Sequence, residues 1–221
     1  MRPTGVIACW VLVLFPGLPF AQEQLRSQAD IVQVENAQGD SMQSQEAAIN
    51  TRKVSGVRLK ERMTAGDQEL LLNGAGKRRY FFVDAYVAAL YLPRLSQDSQ
   101  TIINAQEPMA ISLHITSDRI TRERMVDSIR DGFKQALGGD LEPVQRYLDE
   151  LLAAFHRKIR EGDQVQLIYT PETGVEIRHN GDTVGQVAGD ARFKQALFAI
   201  WLGDNPVQSG LRRELLQGAD F

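Results

Sequence analysis

The stretch Leu71–Phe82, LLNGAGKRRYFF, sets two glycines around an alanine, follows them with three cations and ends in aromatics. A glycine-rich loop that cradles phosphate leads from a strand into a helix, as G-x-G-x-x-G or the Walker pattern does. Here Gly74-Ala75-Gly76 runs through Lys77-Arg78-Arg79 into strand formers, and neither pattern is present. The stretch therefore reads as a sheet strand, and nucleotide binding falls away. Alternate side chains of a strand share a face. That groups Arg78 with Leu70, Leu72, Gly74, Gly76, Tyr80 and Phe82. It turns Lys77 and Arg79 to the other face, with Asn73, Ala75, Phe81 and Val83.

The elements around this strand follow from periodicity. VSGVRLKERM (54–63) reads as a first strand, DQELLLNGAGKRRYFF (67–82) and DAYVAALYLP (84–93) as two longer ones, and MAISLHIT (109–116) as a fourth. DSQTIINA (98–105) reads as a short helix. Apolar residues recur at helical spacing in TRERMVDSIRDGFKQAL (121–137), through Met125, Ile129 and Phe133, and in LEPVQRYLDELLAAFHRKI (141–159), through Leu148, Leu151, Leu152, Phe155 and Ile159. DQVQLIYT (163–170) and GVEIRHNGDTVGQV (174–187) return to strands, with Asn180-Gly181 as a type I′ turn signal. DARFKQALFAIWL (190–202) and PVQSGLRRELLQ (206–217) close the chain as helices. Strands joined by hairpins and interrupted by helices imply an α+β fold, an antiparallel sheet with helices on one face.

Composition narrows the function classes. The net charge of −3, with cations scattered singly along helices, excludes an electrostatic nucleic-acid binder. The opening residues MRPTGVIACWVLVLFPGLPFA (1–21) carry one early cation, a short apolar stretch, helix breakers and a final small residue, the layout of a secretory signal peptide. The expected product is an exported, periplasmic protein cleaved after Ala21, with an uncleaved anchor as the alternative. Cys9 is the sole cysteine and lies within that leader, before its apolar stretch rather than after it, unlike a lipoprotein signal. The mature chain thus has no thiol for a disulfide, a thiolate metal site or a nucleophile. Residues 22–52 are rich in Gln, Ser, Asn and Ala and lack aromatics, so they read as a polar tether, and the folded domain is expected over 53–221.

Few residues are arranged for chemistry. His114, His156 and His179 fall in different elements, so no metal set forms. There is no G-x-S-x-G, and Asp149-Glu150 lie on the polar face of a helix. Arg78 is different. Two glycines on its face clear space beside it, and Tyr86 on the next strand lies with Ala88, Leu90 and Leu92. A guanidinium fork and a phenol looking into one apolar cavity suit a carboxylate or phenolate. The other reading is an arginine paired with a neighbouring acid or reaching to water.

LLNGAGKRRYFFVDAYVAALYLP (71–93) and the later GDQVQLIYTPETGVEIRHNGDTVGQVAGDARFKQALFAIWLGDNPV (162–207) resemble the chalcone isomerase-like superfamily, in its exported bacterial branch. The resemblance covers roughly 53–217. It implies an open-faced β-sandwich, a large antiparallel sheet under a layer of helices with a ligand cleft between them, and no cofactor. In plant isomerases the arginine of the G-A-G-x-R element steers the substrate phenolate, and by that motif it corresponds to Arg78. Non-catalytic relatives bind fatty acids with that arginine and a tyrosine on the following strand, which falls on Tyr86. The isomerases also use a tyrosine and an asparagine near the following helix, and ITSDRITRERMVDSIRDGFKQ (115–135) contains neither. The resemblance therefore implies a binding protein for a fatty acid or similar apolar carboxylate, with Arg78 and Tyr86 as ligand-binding residues. Two other readings stay open: a cofactor-independent intramolecular lyase or isomerase using the same pair, and an envelope interaction module using the tether and GLRRELLQGADF (210–221).

Overall fold

A computed structural model describes residues 51–80 and 82–221. The expected signal peptide, and the tether up to residue 50, lie outside the described residues. Strand β1 (Thr51–Val54) begins two residues before the expected domain start and pairs with β2 (Val57–Lys60) around Ser55-Gly56. Both turn residues have positive φ, 47° and 89°, the type I′ geometry. The expected single strand over 54–63 is therefore a hairpin followed by β3 (Arg62–Ala65). Serine rarely adopts positive φ, so Ser55 gives little warning of this turn.

The remaining strands form one seven-stranded antiparallel sheet in sequence order: β3, β4 (Gln68–Tyr80), β5 (Val83–Leu92), β6 (Met109–Ile115), β7 (Gln164–Thr170), β8 (Gly174–His179) and β9 (Asp182–Val187). Asn180-Gly181 makes the expected turn, with φ of 54° and 89°. Helix α1 (Ser99–Asn104) is inserted between β5 and β6. Helices α2 (Arg122–Ala136) and α3 (Gln145–Ala154) lie between β6 and β7. Helices α4 (Ala191–Leu202) and α5 (Ser209–Leu215) follow β9. Asp98, Thr121 and Asp190 cap α1, α2 and α4 by accepting first-turn backbone N–H groups.

The larger core lies between the helices and one sheet face, where Leu90, Ile111 and Leu167 meet Phe133, Leu148, Phe198 and Trp201. A second core lies on the opposite face, where the β1–β2 hairpin buries Leu59 against Leu70, Val87, Ala89 and Ile168. The sheet is thus helix-covered on one face and covered only in part on the other, the expected open-faced α+β architecture.

Two local departures matter. Helix α3 ends at Ala154 instead of running to Ile159. The reason is tertiary: Arg122 donates from Nε to the Phe155 carbonyl, while Phe155 and Ile159 stay buried in an irregular segment. In β4, register jumps between Leu72 and Gly74, leaving Asn73 as a bulge. Asn73 is fully buried, donates to the carbonyls of Ser96 and Leu215 at 2.9 Å each, and accepts from Ser96 N at 2.7 Å. The bulge breaks strict alternation. Leu70 and Leu72 belong to the hairpin-side core, whereas Gly74, Gly76 and Arg78 face the helices.

Candidate ligand-binding site

Arg78 and Tyr86 stand directly opposite each other on β4 and β5. Both line a cavity of about 400 Å³ closed by α2, α4 and the segment after α4. Its apolar walls come from Ala85, Ile120, Met125, Ile129, Ile200 and Val207, and its polar groups include Arg124, Asp127 and Asp131 on α2. Sequence reasoning named Arg78 and Tyr86, and the fold brings the two together on the wall of one cavity.

The three consecutive cations have different fates. Lys77 Nζ and Arg79 Nε share Asp84, at 2.7 and 3.1 Å. Hydrogen bonds first from Lys77 and then from Arg79 outweigh desolvation and hold the Asp84 carboxyl below its usual range. Arg78, half-buried, has no ion pair with any described residue. Its Nη1 donates to the Arg79 carbonyl at 2.6 Å and to Gln208 Oε1 at 3.2 Å, both neutral acceptors. Asp127 and Asp131, the carboxylates at the cavity, are engaged by Arg130 at 3.4 Å and Lys134 at 3.9 Å.

Tyr86 is set by α4. Trp201 donates its indole N–H to the phenol oxygen at 3.1 Å. Burial pushes the phenol pKa up, and the Trp201 hydrogen bond and the adjacent Arg78 charge only partly offset it. At neutral pH the phenol therefore keeps its proton and remains a donor. The cavity thus offers a cation and a neutral O–H donor on paired strands, with apolar side chains among its walls, which can hold an anionic head group on a nonpolar ligand.

The glycines do not serve the purpose expected of them. A Cβ on Gly74 would lie 2.6 Å from the Leu215 carbonyl oxygen, and one on Gly76 would lie 2.7 Å from Glu214 Cβ. The space they clear is filled by α5 rather than left open beside Arg78. Gln208, just before α5, then reaches over the strand. It donates to the Lys77 carbonyl at 3.1 Å and accepts from Arg79 N at 2.9 Å as well as from Arg78. Sequence reasoning missed Gln208 and Trp201 as parts of the site. Trp201 carried one signal, a bulky donor at the end of an apolar helix. Gln208 carried none, because its role arises only when α5 docks on β4.

The histidines lie elsewhere. His156 is exposed, His114 sits on the opposite sheet face, and His179 is buried 3.0 Å from Asp163. Among the described residues no group of His, Cys, Asp and Glu is arranged to hold a metal ion.

The family model described as chalcone isomerase-like matches residues 51–217. The chain belongs to the chalcone isomerase-like family. Among solved structures, it is similar to the crystal structure of a fatty-acid binding protein of Arabidopsis thaliana. The TM-score is 0.60 at 17% sequence identity, covering 75% of this chain and 95% of that one. At that identity the likeness is one of fold, the chalcone isomerase-like sheet under its helices. Among curated proteins, none matches the chain.

Proposed function

We propose that this chain is a non-catalytic binding protein for a fatty acid or similar apolar carboxylate, belongs to an exported bacterial branch of the family, and acts in the cell envelope. The head group is held by Arg78 and Tyr86, and no cofactor takes part. The observation that carries this reading is the inequality of the three cations: Lys77 and Arg79 share Asp84, while Arg78, beside a cavity with both apolar and polar walls, has no carboxylate partner among the described residues. A partly desolvated guanidinium without a counter-ion is costly, and a ligand carboxylate relieves that cost. The similar Arabidopsis protein, named as fatty-acid binding, supports the ligand class. Export rests on the leader layout of residues 1–21.

Native mass spectrometry of purified protein, wild type and Arg78→Ala, tests the binding reading. Wild type is expected to carry acidic lipid and the variant to lose it; a wild type that carries none and takes up none refutes the proposal. Cell fractionation with N-terminal sequencing tests export, expected to give a periplasmic chain beginning at Gln22.

A second reading draws on the same pair. A protonated phenol beside a guanidinium also suits stabilisation of developing oxyanion charge in an intramolecular lyase or isomerase. Turnover of a chalcone-like substrate that disappears in Arg78→Ala would favour it over binding alone.

A further inference from the structure

The open face of the sheet carries a second groove, of about 480 Å³, between the β1–β2 hairpin and strands β3, β6, β7 and β8. Its charged lining is of one sign. Arg58, Lys60, Arg62 and Arg178 line it, and no Asp or Glu does, in a chain whose net charge is −3. Arg62 is paired with Glu69, and Arg178 makes a two-point pair with Glu176 at 2.8 Å for each contact. Arg58 and Lys60, two residues apart on β2, have no ion pair with a described residue. Across the groove Gln164 donates to Ser112 Oγ at 2.8 Å, and His114 Nε2 lies 3.2 Å from the same hydroxyl. The Gln166 side chain makes no hydrogen bond to a described residue and is free to meet a ligand.

We infer that this groove is an anion site for a phosphate monoester, with the phosphate on Arg58 and Lys60 and the polar remainder of the ligand toward Gln164 and Gln166. Two uncompensated cations on one strand match the double charge of a monoester, and Arg58 brings a fork that fits two phosphate oxygens. The groove holds more than a bare phosphate, and Thr64, Gln164 and Gln166 in its lining suit hydroxyl groups on the rest of the ligand. The site lies on the opposite sheet face from Arg78 and does not depend on the fatty-acid reading.

Such a phosphate belongs either to a soluble phosphorylated solute or to a lipid headgroup. Glycerol 3-phosphate, titrated by calorimetry, probes the first. Vesicles of phosphatidylcholine with and without phosphatidic acid, in a sedimentation assay, probe the second. Saturable binding in either arm that weakens with added salt is expected. Arg58→Glu with Lys60→Glu should weaken it at least roughly tenfold, the scale of losing one or more charge-assisted contacts. Fatty-acid occupancy should not change. Should the charge reversal disturb folding, Arg58→Gln with Lys60→Gln, checked by thermal melting, is expected to give the same loss. Absence of saturable binding in both arms, or equal binding by a folded double variant, overturns the proposal.

Discussion

Arg78 and Tyr86 are cross-strand partners on the helix-covered face of the sheet, and the phenol of Tyr86 is fixed from above by the indole of Trp201 at 3.1 Å. The pairing places a cation and a neutral donor on the wall of the cavity. A charge-assisted hydrogen bond contributes about 1.5–3 kcal/mol, so removing the guanidinium should cost on the order of a ten- to hundredfold in affinity. In displacement titrations with a fluorescent fatty acid, Arg78→Ala should show that loss. Tyr86→Phe, which removes one neutral donor, should lose less than Arg78→Ala.

Gln208 gives a sharper discrimination. Its Oε1 lies 3.2 Å from Arg78 Nη1, so Gln208→Glu supplies the counter-ion that Arg78 otherwise lacks. The variant gives up the Nε2 bond to the Lys77 carbonyl, a cost of about 1 kcal/mol, so it should fold with a melting temperature lowered by several degrees and lose most of its fatty-acid binding, read in the same displacement titration. Unchanged binding would mean that the charge of Arg78 is not what the ligand meets.

Gly74 tests the packing account. A methyl there meets the Leu215 carbonyl oxygen at 2.6 Å, and a backbone neighbour cannot swing aside. Gly74→Ala should cost about 1–3 kcal/mol, as overpacking does, and lower the melting temperature by several degrees in scanning calorimetry. If the glycine only kept space for ligand, the variant would melt like wild type and lose affinity instead.

Lys194 on α4 provides a pH signature. It is fully buried, donates to the carbonyls of Ile103 and Ala105 at 2.7 and 2.6 Å, and burial pushes its pKa down to about 8. The unfolded chain, with an ordinary lysine pKa of 10.4, binds more protons than the folded one between those values. Stability from this group therefore rises with pH through that window, and the penalty for the buried charge is fully present below pH 8. Between pH 8 and 10, denaturant titrations should show wild type gaining stability relative to Lys194→Met. Above pH 10, Tyr86 and Tyr91 ionise in the unfolded chain while burial keeps them protonated in the folded one, so stability should fall again.

Much of this arrangement was legible before the fold was known, because it rests on local rules. Strand alternation separated Arg78 from Lys77 and Arg79, and Asn180-Gly181 announced its own turn. The rest was invisible for tertiary reasons. The bulge at Asn73 depends on Ser96 and Leu215, which lie far along the chain, and it moved Leu70 and Leu72 to the other face. The end of α3 depends on Arg122, and the purpose of Gly74 and Gly76 depends on the docking of α5. Gln208 and Trp201 became parts of the site only through contacts of high sequence separation.

The central claim is that Arg78 recognises a carboxylate. Calorimetric titration of a fatty acid and its methyl ester into wild type and Arg78→Ala tests it most directly. Wild type should prefer the acid by roughly tenfold or more, and the preference should vanish in Arg78→Ala. Equal binding of acid and ester by wild type, or a preference that survives the loss of Arg78, would contradict the account.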